Sequence, residues 1–113
     1  MPSISTHVLN SEKGTHVAGL TVTLTHIEPD GVRKEIFSNK TDAGGRLVQN
    51  FDFSLTSNEI FEIEFKLSDI HDKKKGIYCN DIVFRVCLSS GNEKFHIPII
   101  VSQNGASTWW SGE

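Results

Sequence analysis

Alternation of apolar and charged side chains in EIFEIEFKL, residues 59–67, which is strict from Phe61 onwards, constrains the fold more than any other feature of this sequence. Successive side chains of a β-strand point to opposite faces of a sheet, so such a segment forms a strand with one buried and one exposed face. The apolar side chains are Phe61, Ile63, Phe65 and Leu67, and the charged ones between them are Glu62, Glu64 and Lys66. The pattern predicts that the four apolar residues face a hydrophobic core.

Three further segments show the same period of two residues. They are LTVTLTHIE at 20–28, DIVFRVCL at 81–88 and KFHIPIIV at 94–101. Shorter strand-like runs lie at 1–9, 32–40 and 47–53, and turn sequences such as PDG at 29–31 separate them. Seven or eight short strands with frequent turns predict an all-β fold, an antiparallel β-sandwich formed by residues 1–113 as a single domain.

One polar segment interrupts this alternation. SDIHDKKKG, residues 68–76, contains three consecutive lysines and no apolar face. We expect a loop or one short helix near 68–75, with Ser68 or Asp69 as its N-cap.

The last long strand predicts which side chains face outwards. Its core-facing set is Phe95, Ile97, Ile99 and Val101. His96, Pro98 and Ile100 alternate with that set, so we expect them on the outer face of the sheet. A partly apolar outer face indicates contact with another surface.

Charge and hydropathy exclude several classes of partner. The net charge of −3 argues against nucleic-acid binding, which favours a basic surface. No window approaches the ~20 apolar residues that span a bilayer, so we expect no membrane association. The opening MPSISTHVLN lacks the basic and apolar parts of a secretory signal, and the final SGE is not a peroxisomal address.

The two cysteines favour a reducing compartment. Cys79 and Cys87 flank a strand-like segment, and eight residues extend over roughly 26 Å in a strand. A disulfide needs Cα atoms within about 7 Å, so the pair cannot bridge across one straight strand. Free thiols predict a cytoplasmic protein, with a peroxisomal location as the other possibility.

The histidines are the main candidates for chemistry, because no phosphate-binding glycine loop, nucleophile-elbow serine or CxxC pair is present. His16, His26 and His71 are best interpreted as ordinary surface or core residues. His7 and His96 lie in strand-like runs, and His96 is expected on an outer sheet face. Spacing alone does not show that these two strands are neighbours.

Three motifs carry a family resemblance. STHVLNSEKGTHVAGLTVTL, TDAGGR and KFHIPIIVSQNGAST occur in the same order as in the transthyretin-like family, and they are most similar to its enzyme branch, the 5-hydroxyisourate hydrolases. That branch begins with a Thr-His-Val-Leu stretch and has an Asp-Gly-Arg type turn. It closes with His-x-His-Val-Pro-Leu-Leu-Leu-Ser-Pro and then Ser-Thr-Tyr-Arg-Gly-Ser. Transthyretin itself lacks the matching histidines and arginine, so the resemblance favours the enzyme.

The resemblance implies a transthyretin-like (prealbumin-like) sandwich and a homotetramer with active sites where the outer sheet faces of two dimers meet. His7, Arg46 and His96 match the residues that the family uses in catalysis. The sequence does not rank the two histidines as the base, although we favour His7, with His96 binding and polarising the substrate ring. Arg46 would hold the negative charge of the substrate; without the resemblance it would be interpreted as an exposed turn residue.

The sequence departs from the family pattern in three places. Lys94 stands where the family has its first closing histidine, and Gln103 replaces the proline after the last strand. The tail Tyr-Arg-Gly-Ser becomes WWSG, so Trp109 replaces the tyrosine and Trp110 the arginine. Trp109 is predicted to bind substrate, and Ser111 is predicted to do so if the tail is shifted by one residue. The alternative for both tryptophans is a subunit contact, which we favour for Trp110.

The resemblance leaves two main hypotheses of function. The first is a hydrolase that opens the ring of 5-hydroxyisourate to 2-oxo-4-hydroxy-4-carboxy-5-ureidoimidazoline in urate degradation. The second is a non-catalytic binding protein for small ligands that keeps the inter-subunit channel. A variant enzyme acting on another small cyclic amide is a lesser third. We expect no cofactor and no tightly bound metal, because a catalytic zinc site needs three protein ligands and only His7 and His96 are obvious candidates.

Overall fold

Two β-sheets pack face to face around the alternating apolar side chains. A computed structural model describes residues 1–56, 58–71, 76–91 and 93–112. The strands in these ranges are β1 (Ser3–Asn10), β2 (Thr15–His16), β3 (Thr21–Ile27), β4 (Arg33–Lys40), β5 (Arg46–Asn50), β6 (Asn58–Phe65), β7 (Ile82–Ser89), β8 (Lys94–His96), β9 (Ile99–Ser102), β10 (Gly105–Thr108) and β11 (Ser111–Gly112). The all-β sandwich that the alternation predicts is confirmed, with eleven strands in the described ranges rather than seven or eight.

One sheet, which we call the site sheet, is organised around β1. Its central order is β10-β9-β1-β8-β11, and β2 and β5 pair with the other edge of β1. β1 runs antiparallel to β5 but parallel to β8 and β9, so this sheet is mixed rather than purely antiparallel. The first and last long segments of the chain are therefore direct neighbours.

The other sheet, which we call the second sheet, has the order β4-β3-β6-β7 and is antiparallel throughout. β3 and β4 form the hairpin predicted at residues 29–31, where Gly31 has φ +90°. β6 pairs with β3 and β7 through long, regular ladders.

The core lies between the sheets and consists of the residues predicted by alternation. Phe61, Ile63 and Phe65 of β6 are fully buried, as are Val22 and Leu24 of β3. From the site sheet the core takes Ile4, Val8, Phe95, Ile97, Ile99 and Val101. The inward faces predicted for these strands are therefore correct.

The polar segment after β6 begins with a short 3-10 helix. This helix spans Leu67–Asp69 and has no side-chain cap, so the predicted capping role of Ser68 or Asp69 is wrong. The Asp69 carboxylate instead accepts a hydrogen bond from the backbone N–H of Thr21 at 3.1 Å. Residues 72–75 of the predicted loop lie outside the described part of the chain.

Pro98 divides the last long strand into β8 and β9, because proline has no N–H to donate to a ladder. Pro98 is buried, which corrects the expectation that it lies exposed on the outer face. Thr108 at the end of β10 donates its hydroxyl to Pro98 O at 2.6 Å, so the folded-back end of the chain packs against this break.

Two expectations concern the state of the cysteines and the presence of membrane-spanning helices. Cys79 and Cys87 are free and exposed, as predicted. Among the helices in the described residues, none is long and apolar enough to cross a bilayer.

Candidate active site

The outer face of the site sheet brings distant parts of the sequence together in cross-strand rows. In β1, Ser5 and His7 alternate with buried Ile4, Thr6 and Val8, so their side chains lie on the outer face. His7 is paired with Arg46 of β5, and Ser5 is paired with Val48 on one side and His96 on the other. His96 is paired in turn with Ser111 of β11. Neighbouring rows along a strand are about 7 Å apart.

The turn TDAGGR holds Arg46 beside His7. The Asp42 carboxylate accepts hydrogen bonds from the backbone N–H groups of Gly44 and Arg46, both at 2.9 Å. These two bonds and the adjacent Arg46 guanidinium hold the pKa of Asp42 below its ordinary value, the bond from the Arg46 N–H being the largest cause. The turn is therefore fixed around an ionised carboxylate.

Gly45 allows the same turn to approach β1 closely. Its φ is +75°, and a Cβ there would lie 2.7 Å from the carbonyl oxygen of Val8. The Gly45 carbonyl accepts a hydrogen bond from Val8 N at 2.8 Å. Only glycine fits this contact, which positions Gly44 O and Arg46 against His7.

The ring of His7 is held through one nitrogen. Its Nε2 lies 3.0 Å from Gly44 O and 2.9 Å from Nδ1 of His16, and the two imidazole rings are nearly parallel, with 22° between their planes. Burial lowers the pKa of His7 most, followed by the Arg46 guanidinium, while the bond to Gly44 O raises it; His16 and His96 lower it further. The net direction is downward, which favours neutral imidazole near pH 7.

His96 is held by a serine on the neighbouring strand. Its Nδ1 lies 2.8 Å from Ser5 Oγ, and the same hydroxyl is 3.5 Å from Phe95 O. Ser111 occupies the adjacent position on β11, on the side of His96 away from Ser5. His96 is therefore flanked by two serines on the outer face.

The two tail tryptophans differ in their surroundings. Trp109 lies between β10 and β11, two residues before Ser111, and is 48% exposed. Trp110 is 72% exposed and lines a cavity of about 180 Å³ with Val86, Cys87 and Phe95. The predicted substrate-binding role of Trp109 and Ser111 stays a prediction, as does the contact role of Trp110.

His16 is the residue of this cluster that the sequence interpretation missed. The sequence predicts an ordinary surface or core role for His16, but it is paired with Leu9 across a short hairpin and contacts His7. The polar turn SEKG between two strand-like histidine segments, THVLN and THV, was the available signal. His26 is an ordinary core residue as predicted: its Nε2 contacts Glu59 Oε1 at 3.1 Å, and Phe53 and Phe61 pack on its ring.

Other features lie apart from this cluster. A cavity of about 430 Å³ is lined by Leu67, His71, Tyr78 and Ser102 with their neighbours, and it includes none of His7, Arg46 and His96. Over the ranges that the structure describes, no three His, Cys, Asp or Glu side chains are grouped as a metal site requires. The expectation of no tightly bound metal stays a prediction.

Sequence comparison gives one family and a full-length relative. A profile described as the HIUase/Transthyretin family matches residues 4–110. The 5-hydroxyisourate hydrolase of Halalkalibacterium halodurans is 28% identical over 115 residues, covering 94% of this chain and 94% of that protein.

Solved structures of two differently named proteins share the fold. The crystal structure of transthyretin from Sparus aurata has a TM-score of 0.82 at 15% identity and covers 97% of each chain. Klebsiella pneumoniae 5-hydroxyisourate hydrolase has a TM-score of 0.73 at 21% identity and covers 98% of this chain and 99% of that one. Because both match, backbone shape does not choose between their functions, and the side chains of the outer face must be considered.

Proposed function

Since the chain belongs to the HIUase/Transthyretin family, we propose that it is a hydrolase that converts 5-hydroxyisourate to 2-oxo-4-hydroxy-4-carboxy-5-ureidoimidazoline in urate degradation. The observation that carries the proposal is the meeting of His7, Arg46 and His96 on one sheet face, from segments separated by up to 89 positions in sequence. The relative from Halalkalibacterium halodurans supports it.

The reaction needs a base that acts on the attacking water and a hydrogen-bond donor that acts on the oxygen of the ring carbonyl. Water adds to a ring carbonyl carbon, the carbon–nitrogen bond of the ring breaks, and the released nitrogen takes a proton. A base that removes a proton from water speeds the addition. Hydrogen-bond donors placed where the carbonyl oxygen becomes negative stabilise the intermediate. Two histidines in different tautomers can supply both functions.

The contact with Gly44 O favours His7 as the base. A carbonyl oxygen only accepts, so the hydrogen of neutral His7 is on Nε2, which donates to Gly44 O at 3.0 Å. The lone pair then lies on Nδ1, which has no hydrogen bond within the described residues. Together with the lowered pKa, this leaves His7 with an unprotonated nitrogen available to water near pH 7.

The contact with Ser5 favours His96 as the donor. The Ser5 hydroxyl has two acceptors, and the 2.8 Å contact to His96 Nδ1 is much shorter than the 3.5 Å contact to Phe95 O. When the hydroxyl donates to Nδ1, the hydrogen of His96 is on Nε2 and can polarise a carbonyl. Arg46 would bind the oxygen-rich ring through its planar donor fork, and Ser111 and Trp109 would complete the binding face.

We infer further that the working protein is a homotetramer in the cytoplasm. Val48 lies in the row of Ser5 and His96 and is 70% exposed, and Ile100 is half-buried on the same face. A second copy placed over this face would cover both and would close an open catalytic surface into a pocket. No membrane or nucleic-acid partner and no cofactor is part of the proposal.

A non-catalytic protein that binds small ligands remains the second candidate. The half-exposed ring of Trp109 favours it, because it offers apolar surface two residues before Ser111. Such a protein would bind a flat ring without opening it.

The deciding experiment follows the ultraviolet absorbance of freshly generated 5-hydroxyisourate with and without the protein. The proposal expects its decay to accelerate in proportion to protein concentration, and chelator to leave the rate unchanged. The His7→Ala variant is the negative control and the His71→Ala variant the positive one. Decay at the buffer rate, with saturable binding of the compound, would establish the binding protein instead.

A further inference from the structure

The contact between His7 and His16 has a consequence for the proposed base. His7 Nε2 has two neighbours, Gly44 O at 3.0 Å and His16 Nδ1 at 2.9 Å. A single ring nitrogen carries either one hydrogen or one lone pair. The two neighbours can therefore both be satisfied only if Nε2 holds a hydrogen and His16 Nδ1 holds a lone pair.

Protonation of His16 is incompatible with that arrangement. A cationic imidazole has hydrogens on both nitrogens, so His16 Nδ1 would present a hydrogen to the hydrogen on His7 Nε2. The clash is removed when His7 transfers its ring hydrogen to Nδ1 and accepts the His16 N–H at Nε2, which exchanges the hydrogen bond to Gly44 O for one from the cationic ring. The nitrogen that the proposed function uses as base then carries a hydrogen, although His7 itself has gained no charge.

We propose, on the basis of the proposed hydrolase function, that His16 is a positioning residue for His7. Neutral His16 keeps the lone pair of His7 on Nδ1, where it can act as a base. Protonated His16 silences His7, which here means that it places a hydrogen on Nδ1 and blocks the base. The first proton taken up by the pair in mild acid therefore switches the enzyme off.

Other groups near His7 do not produce the same effect. Arg46 on β5 and Asp42 in the adjoining turn keep their charges through the pH range in which histidines titrate, and His96 lies on β8 beyond Ser5. Ordinary repulsion from a charged His16 would also lower the pKa of His7. The two effects make opposite predictions for a variant without His16, and this allows a decisive test.

The test uses His16→Asn, whose side-chain oxygen can accept from His7 Nε2 but cannot titrate. The acid limb of kcat/KM is measured from pH 5 to 8.5 for the wild type and for this variant. If protonated His16 silences His7, the acid limb of the variant moves to lower pH, because one of the two protonations that block the base has been removed. If His16 acts only by charge repulsion, its removal raises the pKa of His7 and the limb moves to higher pH, which overturns the proposal, as does an unchanged limb.

Two further measurements separate this proposal from the function on which it rests. Ring nitrogen NMR of the protein without substrate should show His7 Nδ1 gaining its hydrogen in the same step in which His16 becomes protonated. In His16→Asn, His7 Nδ1 should be protonated only at lower pH. If the wild-type protein is inactive but shows this tautomer shift, the hydrolase function is refuted and the coupling of His7 to His16 stands. If the protein is active but shows no shift, the hydrolase function stands and the role of His16 is refuted.

Matched variants control for indirect effects. His71→Asn removes a histidine that lines a cavity elsewhere, and it should leave both the acid limb and the NMR titration of His7 unchanged. His16→Phe keeps a ring but removes the acceptor. It should also lose the acid silencing, and above pH 8 its KM should match the wild type while its kcat falls severalfold. If His71→Asn shifts the limb as much as His16→Asn, the assignment to His16 is wrong.

Discussion

The charged side chains on the outer faces of the two sheets differ in whether they are bonded to one another. On the second sheet, Glu62 accepts hydrogen bonds from Arg85 of the neighbouring strand and forms an ion pair with Arg33 two strands away. On the site sheet, the Arg46 guanidinium forms no ion pair in the residues described, and one nitrogen of each of His7 and His96 has no hydrogen bond there.

The difference indicates which face is structural and which is functional. Charged groups that pair with one another contribute to stability and leave no unused bonding capacity. Charged or polar groups held in position without partners contribute little to stability and are available to a ligand. The two faces should therefore respond oppositely to mutation.

The largest expected effect is on catalysis at the site sheet. His7→Ala should lower kcat/KM by about 10²–10⁴-fold, the usual contribution of a general base, while the thermal midpoint stays within a few degrees of the wild type. Arg46→Gln should also lose most activity, and Arg33→Gln is its matched control on the second sheet. Full activity in both site-sheet variants, measured by 5-hydroxyisourate decay, would remove the distinction between the faces.

Removing the paired charge on the second sheet should affect stability instead. Glu62 is 9% exposed, and Glu62→Gln loses its charged bonds to two arginines that remain largely solvated. We expect a loss of about 1–2 kcal/mol in the free energy of unfolding, with turnover unchanged. Chemical unfolding at one fixed protein concentration measures the first quantity, and the decay assay measures the second. A variant with reduced turnover and native stability would contradict the comparison.

The pH dependence of that stability difference has a definite sign. Arg33, then Arg85, hold the pKa of Glu62 below its ordinary value in the folded protein. The stabilisation is therefore complete above the ordinary carboxyl pKa and is lost as pH falls through the lowered one. Unfolding curves of the wild type and Glu62→Gln should differ at pH 7 and converge in acid. A difference that grows as the pH falls would show that the arginines do not stabilise the ionised carboxylate.

The smallest expected effect concerns the tail beside His96. Ser111→Ala should lower kcat/KM by about three- to tenfold, the value of one hydrogen bond, if the Ser111 hydroxyl contacts substrate. Ser90→Ala, in an exposed turn, is the control. Equal rates for the two variants would leave Ser111 as a backbone neighbour of His96 with no role in binding.

The alternation in the sequence was sufficient to predict the longer strands and their inward faces, but not the short β2, β10 and β11. Phe61, Ile63 and Phe65 are buried because a β-strand turns each successive side chain to the other face, and this depends only on local backbone geometry. The same rule failed at Pro98, where the missing N–H breaks the strand and the folded-back tail packs against it.

The candidate site could be predicted only in part. His7, Arg46 and His96 were recognised through motifs that resemble a family, whereas the contact of His16 with His7 was missed. His16 reaches His7 because a four-residue turn folds β2 back on β1. The polar residues around His16 in the sequence are those expected around an ordinary surface histidine.

What the sequence determined by itself was therefore the longer strands, their two faces and the candidate residues. What only the tertiary structure decided was which residues are lateral neighbours: Arg46 beside His7, Ser5 and Ser111 on either side of His96, and His16 against His7. Alternation is local, because it depends on whether each side chain is more stable in water or in the hydrophobic core. Lateral pairing depends on backbone hydrogen bonds between segments as much as 91 positions apart, and backbone groups are the same at every residue.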